Sequence, residues 1–129
     1  MKAYRCHAYG DYRDLTIQDL PNPKPGVGEV HLRVRTAGVG FVEMLMVQGK
    51  YQLKPDLPFT PGGECTGEVI DVGEGVTEFK PSDIVMGGGS LGVGIGVYSD
   101  EVTVPASNCR LLPKPFSLDE GAGFMSAYK

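Results

Sequence analysis

The side chains able to transfer protons, attack carbonyls or hold metals are few in this chain, and their spacing suits none of those tasks. There are two histidines, His7 and His31. Nothing in the sequence marks a carboxylate or cysteine as a catalytic partner of either, so each reads as a surface or satisfied histidine. Three cysteines, Cys6, Cys65 and Cys109, are widely spaced and odd in number. They form no disulfide framework and no C-x-x-C pair, and they fit buried thiols in a reducing compartment. None sits beside the run of cations that would lower its pKa toward a nucleophilic thiolate. Glu64, Asp71 and Glu74 are acidic, yet nothing in their spacing makes two of them converge as an acid/base pair. H-E-x-x-H and P-loop patterns are absent. Gly87, Gly89 and Gly92 do satisfy G-x-G-x-x-G. That fingerprint needs a long helix after it to hold a pyrophosphate. Here the glycine tract 87–96 runs into a strand pattern instead and reads as a flexible loop. The residues alone describe a binding or half-catalytic domain.

The elements that must position these residues are mostly short strands. Nineteen Gly, ten Pro and no Trp make a turn-rich chain. Strand patterns cover 2–9, Leu15–Leu20, Glu29–Arg35, Cys65–Val72, Ile84–Met86, Val97–Val104 and Cys109–Leu112. Leu15–Leu20 alternates with period two and is expected to be half-buried. In Glu29–Arg35, Val30, Leu32 and Val34 point one way and the polar residues the other. Three prolines make 21–26 irregular. Phe41, Met44, Leu45 and Gln48 recur at helical spacing before Gly49, which stops the helix. Tyr51 opens a proline-rich loop. Local pattern alone favours a turn with one surface tyrosine, although such loops also edge binding clefts. Pro58–Pro61 and Gly62-Gly63 make a turn ahead of Cys65. Ser117-Leu118-Asp119-Glu120 is a capping box opening a helix toward Met125, which Gly121 and Gly123 weaken by about 1 kcal/mol each. The expected fold is mainly β: a small, partly open barrel with short helices.

The 129 residues suit one domain. The net charge of −4 and pI near 5.1 come with no basic stripe, which excludes nucleic acid and anionic membranes as partners. No apolar run approaches the roughly 20 residues of a membrane span, and the first residues lack an apolar signal core. The expected location is the cytoplasm, with mitochondria as the alternative.

Several stretches, taken in order, resemble the N-terminal GroES-like domain of the medium-chain dehydrogenase/reductase superfamily. Ala37-Gly38-Val39-Gly40-Phe41-Val42-Glu43 is similar to its AGVNxxD segment, and Gly49-Lys50-Tyr51 to its GxY. Pro58–Glu64 resembles PxxPGxE, Gly67–Val76 GxVxxVGxGV, and Phe79–Val85 FKxGDRV. Tyr98 with Val104-Pro105-Ala106 resembles a YAExxxVPA strand. The resemblance spans nearly the whole chain and implies a GroES-like domain over 1–129. It also implies that the Rossmann cofactor domain lies outside this chain, so that the chain is a truncated piece, inactive alone. Zinc members of the superfamily have Cys where this chain has Gly40 and His where it has Gly63. Glycine offers no ligand, so the resemblance implies a zinc-free quinone oxidoreductase-like protein with no metal site. It implies hydride transfer from NADPH to a small quinone or enone, with Gly40, Phe41, Glu43 and Tyr51 facing substrate and cofactor. No residue is assigned a catalytic role. Quinone reductases of this kind usually have Asn where Gly40 stands and Asp where Glu43 stands, a departure that bears on activity. The missing segment implies an open sheet edge at which a second copy could pair as a homodimer. The competing reading is a non-enzymatic GroES-like binding or adaptor module.

Overall fold

A computed structural model of the chain describes residues 1–52, 54–88 and 96–127, with side chains described up to Ala122. Strand β1 is Lys2–Arg5, β2 Thr16–Asp19, β3 Glu29–Ala37, β4 Cys65–Val72, β5 Ile84–Gly87, β6 Glu101–Pro105 and β7 Arg110–Leu111. Helix α1 is Phe41–Val47 and α2 Leu118–Ala127. The chain is mainly β, with two sheets that do not close into a barrel and few short helices. The larger sheet has the order β6-β3-β4-β5-β7, and the smaller one pairs β1 with β2. Every pairing is antiparallel. The two sheets are stitched by single bridges, Ala3 to Ser99 and Cys6 to Phe59.

β3 lies inside the larger sheet, between β6 and β4, and its alternation is the cleanest in the chain. Val30 and Leu32 are fully buried and pack with Val69, Val85, Val102 and Val104 from β4, β5 and β6. Each such aliphatic contributes on the order of 1.5–3 kcal/mol. β4 runs over Cys65–Val72 as its sequence pattern indicates. The N-terminal strand is shorter than its pattern, four residues plus the bridge at Cys6. The apolar stretch after the glycine tract forms β6 only from Glu101. Residues 89–95 of that tract, read above as a flexible loop, lie outside the described residues, as does Leu53.

Two expectations are corrected. β2 is exposed along its whole length, with Ile17 at 59%. It is the outer strand of a two-stranded sheet, so no layer covers its apolar side; Leu15, just before it, packs inward instead. Helix α1 forms as its spacing indicates, but the buried face is the other one. Met46 and Val47 are buried with Cys6 and Phe59, and Val42 packs against them, while Phe41 is 77% exposed. The capping box is realised reciprocally: Ser117 N–H donates to Glu120 Oε1 (2.9 Å), and Glu120 N–H to Ser117 Oγ (3.1 Å). These bonds hold the Glu120 carboxyl below its usual range.

Candidate functional site

The corner between β3 and α1 carries the residues singled out in the sequence. β3 ends at Ala37, and Gly38 N–H then donates to Glu64 O (3.0 Å). Val39 and Phe41, 83% and 77% exposed, flank Gly40. Gly40 sits at the start of α1 in extended backbone and makes no side-chain cap bond. One turn on, Glu43 reaches back, and its Oε1 accepts the Gly63 N–H at 3.1 Å. Its other oxygen, Oε2, lies 2.8 Å from where a Cβ on Gly40 would stand. The glycine at 40 and the longer acid at 43 therefore belong together: the carboxylate occupies the space that a side chain at 40 would enter.

A backbone ladder forms the floor. Gly96 N–H donates to Thr60 O (2.8 Å), Val97 N–H to Gly62 O (3.1 Å) and Tyr98 N–H to Pro61 O (3.1 Å). Gly62 has φ +112°, and a Cβ there would stand 2.7 Å from Tyr98 Cδ1 and 2.9 Å from Tyr98 N. Only glycine fits both the conformation and the space. The ladder aims Tyr98 at the corner, where its hydroxyl donates to Gly38 O at 2.7 Å. Burial, and then the carboxylates of Glu43 and Glu64, push the Tyr98 phenol up to about 12. Its proton is thus committed to Gly38 and strongly held, so Tyr98 braces the corner and is a poor proton donor.

Gly40, Phe41 and Glu43 are brought together at this corner. Tyr51 packs half-buried against the Cys6–Met46–Val47–Phe59 cluster, and among the described residues no hydrogen bond ties it to the corner. The pairing of Glu43 with Gly63 and the approach of Glu43 and Glu64 to Tyr98 were not foreseen. The only signal was the occurrence of these residues in separate motif-like stretches. His31 does have a partner: its Nε2 lies 2.8 Å from Glu101 Oε1, a partly buried cross-strand pair between β3 and β6. The three thiols are free and buried. Burial raises Cys6, pushes Cys65 up to about 12 and Cys109 to about 11, which makes all three poor nucleophiles. Among the described residues no three His, Cys, Asp or Glu side chains gather as a metal site. Also among them, no helix is long and apolar enough to cross a membrane. Val39 and Phe41 present exposed apolar surface on either side of a position without a side chain.

A β-sheet core with this glycine-cornered face defines a GroES-like domain. Residues 26–114 match the family model of the alcohol dehydrogenase GroES-like domain, and the chain belongs to that family, within the medium-chain dehydrogenase/reductase superfamily. It is 38% identical over 122 residues to the rat synaptic vesicle membrane protein VAT-1 homolog, covering 93% of this chain and 29% of that protein. To mouse quinone oxidoreductase-like protein 2 it is 43% identical over 114 residues, covering 88% and 31%. Among solved structures, Escherichia coli quinone oxidoreductase complexed with NADPH superposes with a TM-score of 0.88 at 25% identity, over 97% of this chain and 37% of that one. The chain thus spans about a third of the length of the relatives it matches. These relatives support an oxidoreductase family.

Proposed function

We propose that this chain is the substrate-side domain of an NADPH-dependent, zinc-free quinone or enone reductase, with the Rossmann domain supplied by the remainder of a longer protein. The observation that carries the reading is the donor set at the corner. Where zinc relatives hold ligands, this chain has Gly40 and Gly63, and the Gly63 N–H is already taken by Glu43 Oε1. When bound, NADPH supplies the hydride, and the protein's task is orientation and exclusion of water. Val39 and Phe41 offer apolar contact for a flat ring beside Gly40. Glu43 fixes the distance between α1 and the Gly62-Gly63 turn, and Tyr98 holds the Gly38 carbonyl in place. Tyr51 edges the cleft from the loop after α1. In this reading the cofactor phosphates belong to the second domain. Among the described residues β7, a two-residue strand, pairs with β5 alone, and that edge is where two copies would meet. The proposed location is the cytoplasm or mitochondrion.

The test is to express the longer reading frame and follow NADPH oxidation against quinones and enones. Turnover with at least one acceptor is expected. No turnover together with no NADPH binding would overturn the reading, and a stable protein partner found in that case would establish the adaptor role.

A further inference from the structure

The Glu43 carboxylate has two oxygens in different circumstances. Oε1 is held by the Gly63 N–H. Oε2 accepts no hydrogen bond among the described residues and stands over Gly40, which is itself exposed. Oε2 fills the place that a side chain at 40 would take, and the backbone beneath it is bordered by the exposed Val39 and Phe41. Among the described residues no cation pairs with Glu43. Tyr98 cannot neutralise it, since its hydroxyl proton goes to Gly38 O. Glu43 itself lies close enough to Tyr98 to raise its pKa.

From this geometry we propose that Glu43 is a specificity-determining residue: its fixed Oε2 selects neutral conjugated acceptors carrying their own O–H or N–H donor and rejects anionic ones. The proposal rests on the reductase reading and names the substrate class within it. A bare quinone presents only carbonyl oxygens, which are acceptors, and meets the carboxylate unfavourably. A hydroxyl-bearing enone or quinone places its ring on Phe41 and donates to Oε2. A sulfonate or carboxylate on the ligand meets like charge in a partly desolvated corner, and such repulsion is an effective means of exclusion.

The experiment uses this 129-residue chain and needs neither NADPH nor turnover, so its failure is separable from failure of the reductase reading. Three flat, redox-inactive probes are titrated into the 15N-labelled chain: 2-naphthol, 2-methoxynaphthalene and naphthalene-2-sulfonate. The Phe41 and Gly63 amide resonances are followed. The expected affinity order is naphthol, then the methyl ether, then the sulfonate. A hydrogen bond to a charged group of this kind corresponds to about tenfold between naphthol and ether. In Glu43→Gln, which keeps the shape and loses the charge, the sulfonate should approach the ether and the naphthol advantage should shrink severalfold. If Glu43→Gln does not fold, the wild-type chain still decides: raising salt should narrow the gap between ether and sulfonate, because screening weakens the repulsion. Equal binding of sulfonate and naphthol, a salt-independent order, an unchanged order in folded Glu43→Gln, or shifts confined to other residues would each overturn the proposal.

Discussion

Replacing Gly62 by alanine should be among the most damaging single-methyl changes available in this protein, and two other glycines calibrate how damaging. Gly62 has φ +112°, and the added methyl would lie 2.7 Å from Tyr98 Cδ1, 2.9 Å from Tyr98 N and 2.9 Å from Val97 Cγ2. Gly75 shares the positive φ, at +87°, with nothing within 4 Å. Gly10 has neither constraint. Gly10→Ala should be neutral or stabilise by about 0.4–1 kcal/mol through the unfolded chain. Gly75→Ala carries only the backbone term, roughly 1–2 kcal/mol for a left-handed alanine. Gly62→Ala carries a backbone term of about 1–3 kcal/mol. Overpacking adds about 1–3 kcal/mol, because one of the clashing atoms is main chain and cannot swing away. The sum is near 4 kcal/mol, a large part of the ~5–15 kcal/mol that holds a typical domain together. Urea denaturation of the three variants reads the differences directly. If Gly62→Ala proved no worse than Gly75→Ala, the tight seating of Tyr98 on the Gly62 turn would be refuted.

Four further outcomes are expected. Gly40→Asn should displace Glu43 from Gly63 in the wild-type chain and do no such harm once Glu43 is alanine. A double-mutant cycle by urea denaturation should therefore give a coupling of about 1 kcal/mol, and coupling within about 0.3 kcal/mol of zero would break the link between positions 40 and 43. The three buried thiols should resist a disulfide reagent in the native chain and react together in denaturant. Stability should fall as pH rises from 9 toward 12: Cys65 and Cys109 titrate near 9 when unfolded but near 12 and 11 when folded, so the native state holds protons that the unfolded chain releases. That decline should flatten in the Cys65→Ala/Cys109→Ala variant, as read by thermal melts across the range. Ser117→Ala should remove the α2 cap at a cost of about 1 kcal/mol, visible as a lower urea midpoint.

What could be read in the sequence follows from where the information lies. Cys65–Val72 was legible because its pattern is bounded by glycine and proline turns at both ends. The capping box was legible because its partners are three residues apart. The buried face of α1 was not, because six of its seven residues are apolar and no phase stands out; the choice was made by Cys6 and Phe59, which arrive from elsewhere in the chain. β2 alternates like a half-buried strand, and only the sheet order shows that it lies at an uncovered edge. Gly40, Phe41 and Glu43 were singled out through resemblance, not through any local pattern. The bond from Gly63 to Glu43 and the placement of Tyr98 join segments 20 and 60 residues apart, and no local pattern encodes such distances.

Helix α2 has a bearing on the corner that goes beyond covering the sheet. Its first residue is tied to the sheet where Thr36 Oγ1 donates to Leu118 O at 2.9 Å. Gly121 lies so close to β4 and β5 that a methyl there would meet Thr66 Cγ2 at 2.5 Å. One residue later, the Ala122 carbonyl oxygen stands 2.9 Å from where a Cβ on Gly38 would be. Gly38 is the residue whose carbonyl Tyr98 holds and whose N–H is bound to Glu64. At Ala122 the helix meets the corner through main chain, beside the Glu64 side chain, whose Oε1 stands 2.9 Å from the same point. In mechanical terms α2 is a shaft bearing on the corner, and a fraction of an ångström of sliding along its axis would press on Gly38 and, through it, on the Tyr98 hydroxyl.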